Sequence, residues 1–177
     1  MGINEAKWFM YATNARKKAT ELAHALHADL EAQGFHSLTD FRHVRFEPID
    51  RVALAAVLEW ETHRFEWENA QLSKKKNPKA FDLGLWFSDH LCGLCFAEPN
   101  GSKTLVKIML LEGNPNPLHP LKGAVATLII IAINQYAKLC HSKAIEVVEP
   151  LPEVVPHYEA LGFQFENGKL VLPVDWA

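Results

Sequence analysis

Three extended segments in the middle of the chain constrain its fold more than any other feature. "FDLGLWF", "LCGLCFAE" and "KTLVKIMLLEG" lie within residues 81–113 and are separated only by Ser88-Asp89-His90 and by "PNGS". Turns this short join antiparallel neighbours, so the segments predict a three-stranded meander. The apolar stretch that follows, from about Gly123 to Leu139, predicts a helix buried against the resulting sheet.

The remaining segments place helices before and after the meander. Apolar residues spaced three and four apart predict a long amphipathic helix from Glu5 to Gln33, which Gly34 ends. "HVRFEPID" predicts a short strand, and Asp50 can cap a second helix over residues 51–65. The polar segment "ENAQLSKKKNPK" (residues 68–79) is predicted to be a loop.

Near the C-terminus, the pattern returns to extended structure. "KAIEVVE" predicts a buried strand, "PEVVPHYEAL" a short helix, and "FQFENGKLVL" a hairpin that turns at Asn167-Gly168. The predicted fold class is therefore α/β, with a mixed, mostly antiparallel sheet and helices on both faces. With 177 residues, we expect an N-terminal helical extension over residues 1–40 and one domain over residues 41–177.

Charge and hydropathy favour a cytoplasmic protein that binds neither membranes nor nucleic acid. The formal net charge is −3, and the densest basic cluster, Lys74, Lys75, Lys76 and Lys79, is typical of a solvated loop. The apolar run over residues 124–133 is about half the roughly 20 residues of a membrane span. The N-terminus has no apolar core of the kind found in secretory signals.

The Cys92-x-x-Cys95 spacing raises the question of a metal or redox site. In a regular strand, residues three apart point to opposite faces, so we expect the two thiols to face apart. No second Cys or His pair lies at zinc-ribbon spacing. The sequence therefore predicts no metal site, and the cysteines are interpreted as small strand hydrophobes.

The stretch "NPNPLHPLKGAVATLIII", residues 114–131, leads from a strand directly into a helix. The free N–H groups of a helix N-terminus, together with its partial positive charge, favour anions such as a pyrophosphate. A glycine lets the backbone approach such an anion closely. The candidate binding residues are Leu121, Lys122, Gly123, Ala124, Val125 and Ala126, with Lys122 adding a cation.

The strand, the turn "HPLKG" and the segment "HYEALGF", which begins about 35 residues after the turn, together resemble the GNAT superfamily of acetyl-coenzyme A-dependent N-acyltransferases. The resemblance covers roughly residues 44–172 and is strongest over 104–165. It implies acetyl-coenzyme A as co-substrate, a small-molecule or peptide amine as acceptor, and direct transfer. It also suggests a homodimer.

The resemblance also assigns roles to individual residues. The backbone around Met109, Leu110 and Leu111 would bind the pantetheine arm and polarise the thioester carbonyl. Tyr158, in "HYEALGF", matches the general acid of the family. Glu112, at the end of the same strand, is our candidate general base; Glu149, His119 and His157 are alternatives.

The turn departs from the family pattern Gln/Arg-x-x-Gly-x-Gly/Ala. When the pattern is aligned on Gly123, Pro120 and Val125 occupy its first and last positions. Proline has no N–H to donate, and valine adds bulk where a phosphate would approach. A binding module with weakened catalysis is therefore an alternative to an active transferase. A toxin-like acetyltransferase acting on aminoacyl-tRNA is a third hypothesis.

Overall fold

The computed structural model describes residues 2–35 and 39–175. Within them the elements are α1 Ile3–Ala32, β1 Val44–Glu47, α2 Arg51–Leu58, α3 Trp67–Lys76, β2 Phe81–Phe87, β3 His90–Pro99, β4 Leu105–Gly113, α4 Val125–Leu139, β5 Ala144–Val147, α5 Val155–Ala160, β6 Gln164–Glu166 and β7 Lys169–Pro173. Short 3₁₀ turns, Phe41–His43 and Pro152–Val154, precede β1 and α5.

All seven strands form one sheet in the order β1-β2-β3-β4-β5-β7-β6. Only β4 and β5 pair in parallel, and the other neighbours are antiparallel. The apolar side chains of α1 and α4 pack on one face of the sheet, and those of α2 and α3 pack on the other. The predicted meander, its mixed sheet and the fold class are confirmed.

The segment between β1 and β2 differs from the prediction. The second helix ends at Leu58 instead of continuing to Phe65, and a third helix, α3, occupies most of the segment predicted to be a loop. Trp67 and Ala70 are buried on its inner face, and its last turn carries Lys74, Lys75 and Lys76, which complement the helix dipole. Tertiary packing therefore stabilises a helix in a segment whose composition is mostly polar.

The expectation that Cys92 and Cys95 face apart is wrong, because β3 contains a bulge. Leu85 pairs with Gly93 while Trp86 pairs with Leu91, so Cys92 is an extra residue in the ladder. Both thiols consequently belong to the apolar cluster beneath α4. Burial raises the pKa of the Cys92 thiol to about 11, so the thiol stays protonated and unreactive at neutral pH.

Helix α1 ends as predicted and covers an exposed edge of the sheet. The N–H of Phe35 bonds to the Leu30 carbonyl and that of Gly34 to the Glu31 carbonyl, with Gly34 at φ 81°. On the edge strand β1, Thr20 Oγ1 accepts from the Phe46 N–H, and the His24 ring contacts the Val44 carbonyl at 2.8 Å. These side chains hydrogen-bond to backbone groups of β1 that would otherwise be free to pair with another strand.

A buried ion pair joins α1 to the sheet. Arg16 Nη2 lies 2.7 Å from both the carboxylate and the carbonyl of Asp82, and the other Asp82 carboxylate oxygen accepts from the Ile49 N–H at 2.8 Å. Both side chains are less than 10% exposed. The pair therefore connects α1, β2 and the turn that precedes α2.

Because removal of one member of a buried pair leaves the other charge uncompensated, we expect Asp82→Ala to lower the free energy of unfolding by about 3–5 kcal/mol. Urea denaturation measures the change. The exposed pair Lys18–Glu21 is the control, since Glu21→Ala should change it by less than about 1 kcal/mol. Equal effects of the two substitutions would contradict a structural role for the Arg16–Asp82 pair.

Candidate functional site

The site begins where β4 separates from its parallel neighbour β5. The two strands pair only over Leu105–Ile108 and Ala144–Val147, and the Val148 N–H makes the last link, to the Ile108 carbonyl at 3.2 Å. Immediately after Ile108, Met109 forms a bulge against β3, since Ala97 pairs with Ile108 and Phe96 with Leu110. Within the described residues, the rest of β4 pairs with β3 alone, so its other edge is open.

Two residues direct backbone groups at this open edge. Hydrogen-bonded residues alternate along an antiparallel pair. Since the Asn114 N–H donates to the Cys92 carbonyl, Glu112 and Leu110 direct their N–H and C=O groups at β3. Leu111 and Gly113 therefore direct theirs outward, where an extended ligand can pair with them. Of the three predicted backbone contacts, Met109 lies at the bulge and Leu111 lies on the open edge.

The turn before α4 uses several of its own N–H groups internally. Leu121 donates to His119 Nδ1 at 3.2 Å, Lys122 to the His119 carbonyl at 3.3 Å, and Ala124 to the Leu121 carbonyl at 2.9 Å. Burial and the nearby Lys122 lower the pKa of His119, which keeps its Nδ1 available as an acceptor. Three of the six predicted anion donors are thus already occupied.

Other N–H groups at the same helix end are free. Among the described residues, no backbone acceptor binds the N–H groups of Gly123, Val125, Ala126 and Thr127. Thr127, which is exposed, is not among the predicted donors. The prediction covers the turn motif and only the first residues of the helix, so the rest of its first turn is left out. Lys122 is also exposed, and Gly123 has φ 83°, which a residue with a side chain rarely adopts.

The side chain of Val125 points into the protein and not toward the open turn. A Cβ atom built on Gly93 would lie 2.7 Å from Val125 Cγ1, and one built on Gly113 would lie 3.7 Å from the same atom. The two glycines therefore let the start of α4 approach β3 and β4 closely. The bulk that the motif comparison placed beside a phosphate is directed at the sheet instead.

Tyr158 lies on α5, in the apolar cluster that includes Cys95 and α4. Its side chain is 7% exposed, and its ring centroid is 5.3 Å from that of Phe163. The chain reverses at Gly162, with φ 100°, so that the Phe163 N–H bonds to the Tyr158 carbonyl at 3.1 Å. The "LGF" segment thus fixes the tyrosine, whose hydroxyl has no hydrogen-bond partner in the described chain. Burial raises the pKa of the phenol.

Glu112 is held by three donors, two from the irregular segment between α2 and α3 and one from the first residue of α3. Its Oε2 accepts from the Arg64 N–H, while its Oε1 accepts from the Trp67 indole at 2.9 Å and from the Phe65 N–H at 3.4 Å. Since each carboxylate oxygen has two acceptor positions, one remains unoccupied on Oε2. A cavity of about 480 Å³ lies beside it, lined by Thr62, His63, Arg64, Leu111, Glu112 and Gly113.

A second cavity nearby is acidic. It has a volume of about 560 Å³, and Glu59, Glu61, Asp89 and the nearly buried Trp60 are among its lining residues. A larger groove of about 990 Å³ lies elsewhere, between α1, β1 and α3, and includes neither Glu112 nor Tyr158. No group of three or more His, Cys, Asp or Glu side chains within the described residues is arranged to hold a metal ion.

Solved structures provide the comparison that assigns the fold. The sequence matches no protein-family model and no curated protein. Ard1 from Thermoplasma volcanium is 10% identical, with a TM-score of 0.56 over 75% of this chain and 99% of that one. The ribosomal-protein-S18-alanine N-acetyltransferase from Escherichia coli is 12% identical, with a TM-score of 0.55 over 76% and 96%. The PaiA N-acetyltransferase from Thermoplasma acidophilum, solved with coenzyme A, is 14% identical, with a TM-score of 0.52 over 75% and 99%.

The chain has the GNAT fold, which it shares with a protein of the GNAT family from Desulfovibrio desulfuricans. The fold implied by the resemblance of "HPLKG" and "HYEALGF" is thereby confirmed. The domain boundary at residue 40, the homodimer and the cytoplasmic location stay predictions. Within residues 2–35 and 39–175, no helix is long and apolar enough to cross a membrane.

The close approach of α4 to β3 yields a test of the packing at the start of α4. We expect Gly93→Ala to lower the free energy of unfolding by about 1–3 kcal/mol, because its Cβ would overlap Val125 Cγ1. Adding Val125→Ala should recover most of the loss. Gly113→Ala is the matched control, since its Cβ meets ordinary contact distances and should cost less than Gly93→Ala. Urea denaturation of the three variants measures these values, and a double variant no more stable than Gly93→Ala would contradict the packing described.

Proposed function

We propose that this protein transfers an acetyl group from acetyl-coenzyme A to a primary amine. The observation that carries the proposal is the separation of β4 from β5 after Ile108, directly beside free N–H groups at the start of α4. The open strand edge offers pairing to an extended arm, and the helix start offers donors to a pyrophosphate.

The residues present fit the cofactor in two regions. Leu111 and Gly113 would pair with the pantetheine amides, and the Leu111 N–H would polarise the thioester carbonyl. The N–H groups of Gly123, Val125, Ala126 and Thr127, assisted by the exposed Lys122, would bind the phosphates. Bound there, acetyl-coenzyme A supplies a thioester carbonyl for attack and a thiolate as leaving group.

Tyr158 is the proposed general acid. Its phenol gives a proton to the departing sulfur and recovers one from solvent after transfer. Because burial raises the pKa of the phenol, the hydroxyl keeps its proton at neutral and mildly alkaline pH. The absence of an acceptor for that hydroxyl within the described chain leaves the proton available for the ligand.

Glu112 is the proposed base, and it also positions the loop before α3. The unoccupied acceptor position on its Oε2 would take one proton from the ammonium group, directly or through one water molecule, so that the neutral amine can attack. The second proton on the nitrogen leaves to solvent when the amide forms. Its three donors hold the carboxylate at the end of β4 and fix Arg64, Phe65 and Trp67 around it.

The acceptor is proposed to be a cationic amine, either a small molecule or the amine of a peptide. Primary amines are protonated in neutral water, and Glu59, Glu61 and Asp89 place negative charge in the second, acidic cavity. The lining residues Glu61 and Asn114 of that cavity adjoin Thr62 and Gly113 of the cavity beside Glu112. The same charges disfavour an aminoacyl-tRNA entering from this side, and no observation at the cleft supports that hypothesis.

A binding module without efficient transfer is the second candidate. The observation in its favour is that the N–H groups of Leu121, Lys122 and Ala124 are consumed within the turn. A thermal-shift titration with acetyl-coenzyme A, followed by thiol release with a panel of amines, separates the two. The transferase proposal requires both stabilisation and amine-dependent thiol release. Stabilisation without release would favour the module, and no stabilisation would contradict both.

Removal of the Tyr158 hydroxyl should affect chemistry more than binding. We expect Tyr158→Phe to lower kcat by about 10²-fold or more, with the KM for acetyl-coenzyme A within about threefold of wild type. Gly123→Val is the matched variant for binding, because valine is strained at φ 83° and should mainly raise that KM. Steady-state kinetics measures both, and an unchanged kcat in Tyr158→Phe would contradict the assignment.

Glu112→Gln should remove the base while largely preserving the shape of the side chain. We expect kcat/KM to fall by about 10²-fold. Trp67→Phe is the control, since it removes one donor to Glu112 but leaves the carboxylate in place, and its kcat/KM should fall far less. Equal losses in the two variants would mean that Glu112 only holds the loop.

A further inference from the structure

Three lysines from separate segments converge on one buried aromatic ring. The ammonium groups of Lys7, Lys79 and Lys103 lie 5.5, 6.0 and 5.4 Å from the ring centroid of Trp8, which is 4% exposed. Lys7 also lies 5.5 Å from the Tyr11 ring. The faces of the aromatic rings attract each ammonium group. Because the rings carry no net charge, they do not cancel the repulsion among the three lysines.

None of the three lysines forms an ion pair with an Asp or Glu of the described residues. Two acidic side chains from neighbouring segments, Glu5 and Glu98, keep their negative charge but bond to neutral groups, the Gly2 N–H and the Asn77 amide. The three ammonium groups therefore lie without a direct carboxylate partner, at separations comparable to the roughly 8 Å Debye length at physiological ionic strength.

The topology gathers more lysines at the same end of the sheet. The start of β2, the end of β3 and the starts of β4 and β5 meet there. Helix α4 ends there as well, because the Ser142 hydroxyl donates to the Lys103 carbonyl and the Lys143 N–H to the Thr104 carbonyl. We define the basic end as six lysines at these termini or in the segments beside them, namely Lys79, Lys103, Lys138 and Lys143, with Lys7 of α1 and Lys76 at the end of α3.

The basic end is separate from the proposed acetyl-transfer site. Helix α4 has 15 residues, so its C-terminus lies about 22 Å from the N-terminus that faces the open edge of β4. The acidic residues of the cleft, Glu59, Glu61 and Asp89, lie at the opposite end of the sheet. The net charge of −3 is therefore the sum of two regions of opposite sign. The expectation that this protein does not bind nucleic acid is based on the net charge, which does not describe this uneven distribution.

We propose that the basic end binds the phosphodiester backbone of nucleic acid without sequence recognition. Lysine ammonium groups bind phosphates as point charges, and several unpaired ones suit a ligand with one charge per nucleotide. The Trp8 ring is too deeply buried to stack on a base, so the contacts available are to phosphates. The three lysines lie outside the large groove and both cavities described above, which fits an extended ligand better than a small one.

Fluorescence anisotropy with a labelled RNA oligonucleotide of mixed sequence, between about 50 and 200 mM salt, tests the proposal. Wild-type protein should bind, with an affinity that falls as salt rises. In the triple variant Lys7→Gln, Lys79→Gln, Lys103→Gln, the slope of log K against log salt should shrink by about 2, since each lost contact to a single strand contributes about 0.7. Affinity at the lowest salt should fall at least tenfold. A DNA oligonucleotide of the same sequence should behave alike.

Two further variants keep the test decisive. Lys17→Gln, Lys18→Gln, Lys169→Gln removes the same charge away from the basic end and should leave the slope nearly unchanged. Lys7→Arg, Lys79→Arg, Lys103→Arg keeps the charge and should still bind, which controls for misfolding. Equal losses in the two glutamine triples, or no binding by wild-type protein at the lowest salt, would overturn the proposal. Binding only to vesicles containing phosphatidylglycerol, and not to either oligonucleotide, would also overturn it.

Discussion

The separation of β4 from β5 after Ile108 is the constraint on which the candidate site depends. A continuous parallel pair would consume the backbone groups of Leu111 and Gly113, and no ligand could pair with them. The bulge at Met109 turns the strand at this point. The small residues Gly93 and Gly113 then bring α4 close enough that its free N–H groups lie beside the opening. The proposed cofactor site, acid and base are all arranged around this one break in the sheet.

The first helix contributes stability to the sheet and charge to its far end. Arg16 binds Asp82 of β2, and Thr20 and His24 bond to backbone groups at the edge of β1. These contacts hold α1 on the face of the sheet that α4 also covers. Lys7 and Trp8, at its other end, help to form the basic end. The helix therefore supplies side chains to the basic end proposed for a polyanion, while the rest of its length packs on the sheet.

The elements that depend on local periodicity could be predicted from the sequence. The predictions failed for features that depend on tertiary contacts. The strands of the meander, the buried helix α4 and the hairpin at Asn167-Gly168 follow from patterns within a few residues. Helix α3 does not, because it depends on tertiary contacts such as the burial of Trp67 and Ala70 and the bonds from Lys74 to the Pro78 and Ala80 carbonyls. The faces of Cys92 and Cys95 depend on a bulge that no residue pattern announces. The motif located the start of α4, but only the hydrogen bonds show that His119 and Leu121 consume donors there while Thr127 supplies one.

Amide chemical shifts on addition of acetyl-coenzyme A test the proposed cofactor site residue by residue, because each backbone N–H gives its own signal. We expect large shifts at Leu111, Gly113, Gly123, Val125, Ala126 and Thr127, whose N–H groups are directed at the proposed ligand. We expect small shifts at Leu121, Lys122 and Ala124, whose N–H groups are already bonded within the turn. Shifts confined to the groove between α1 and α3, with none along the open edge of β4, would contradict the proposed site.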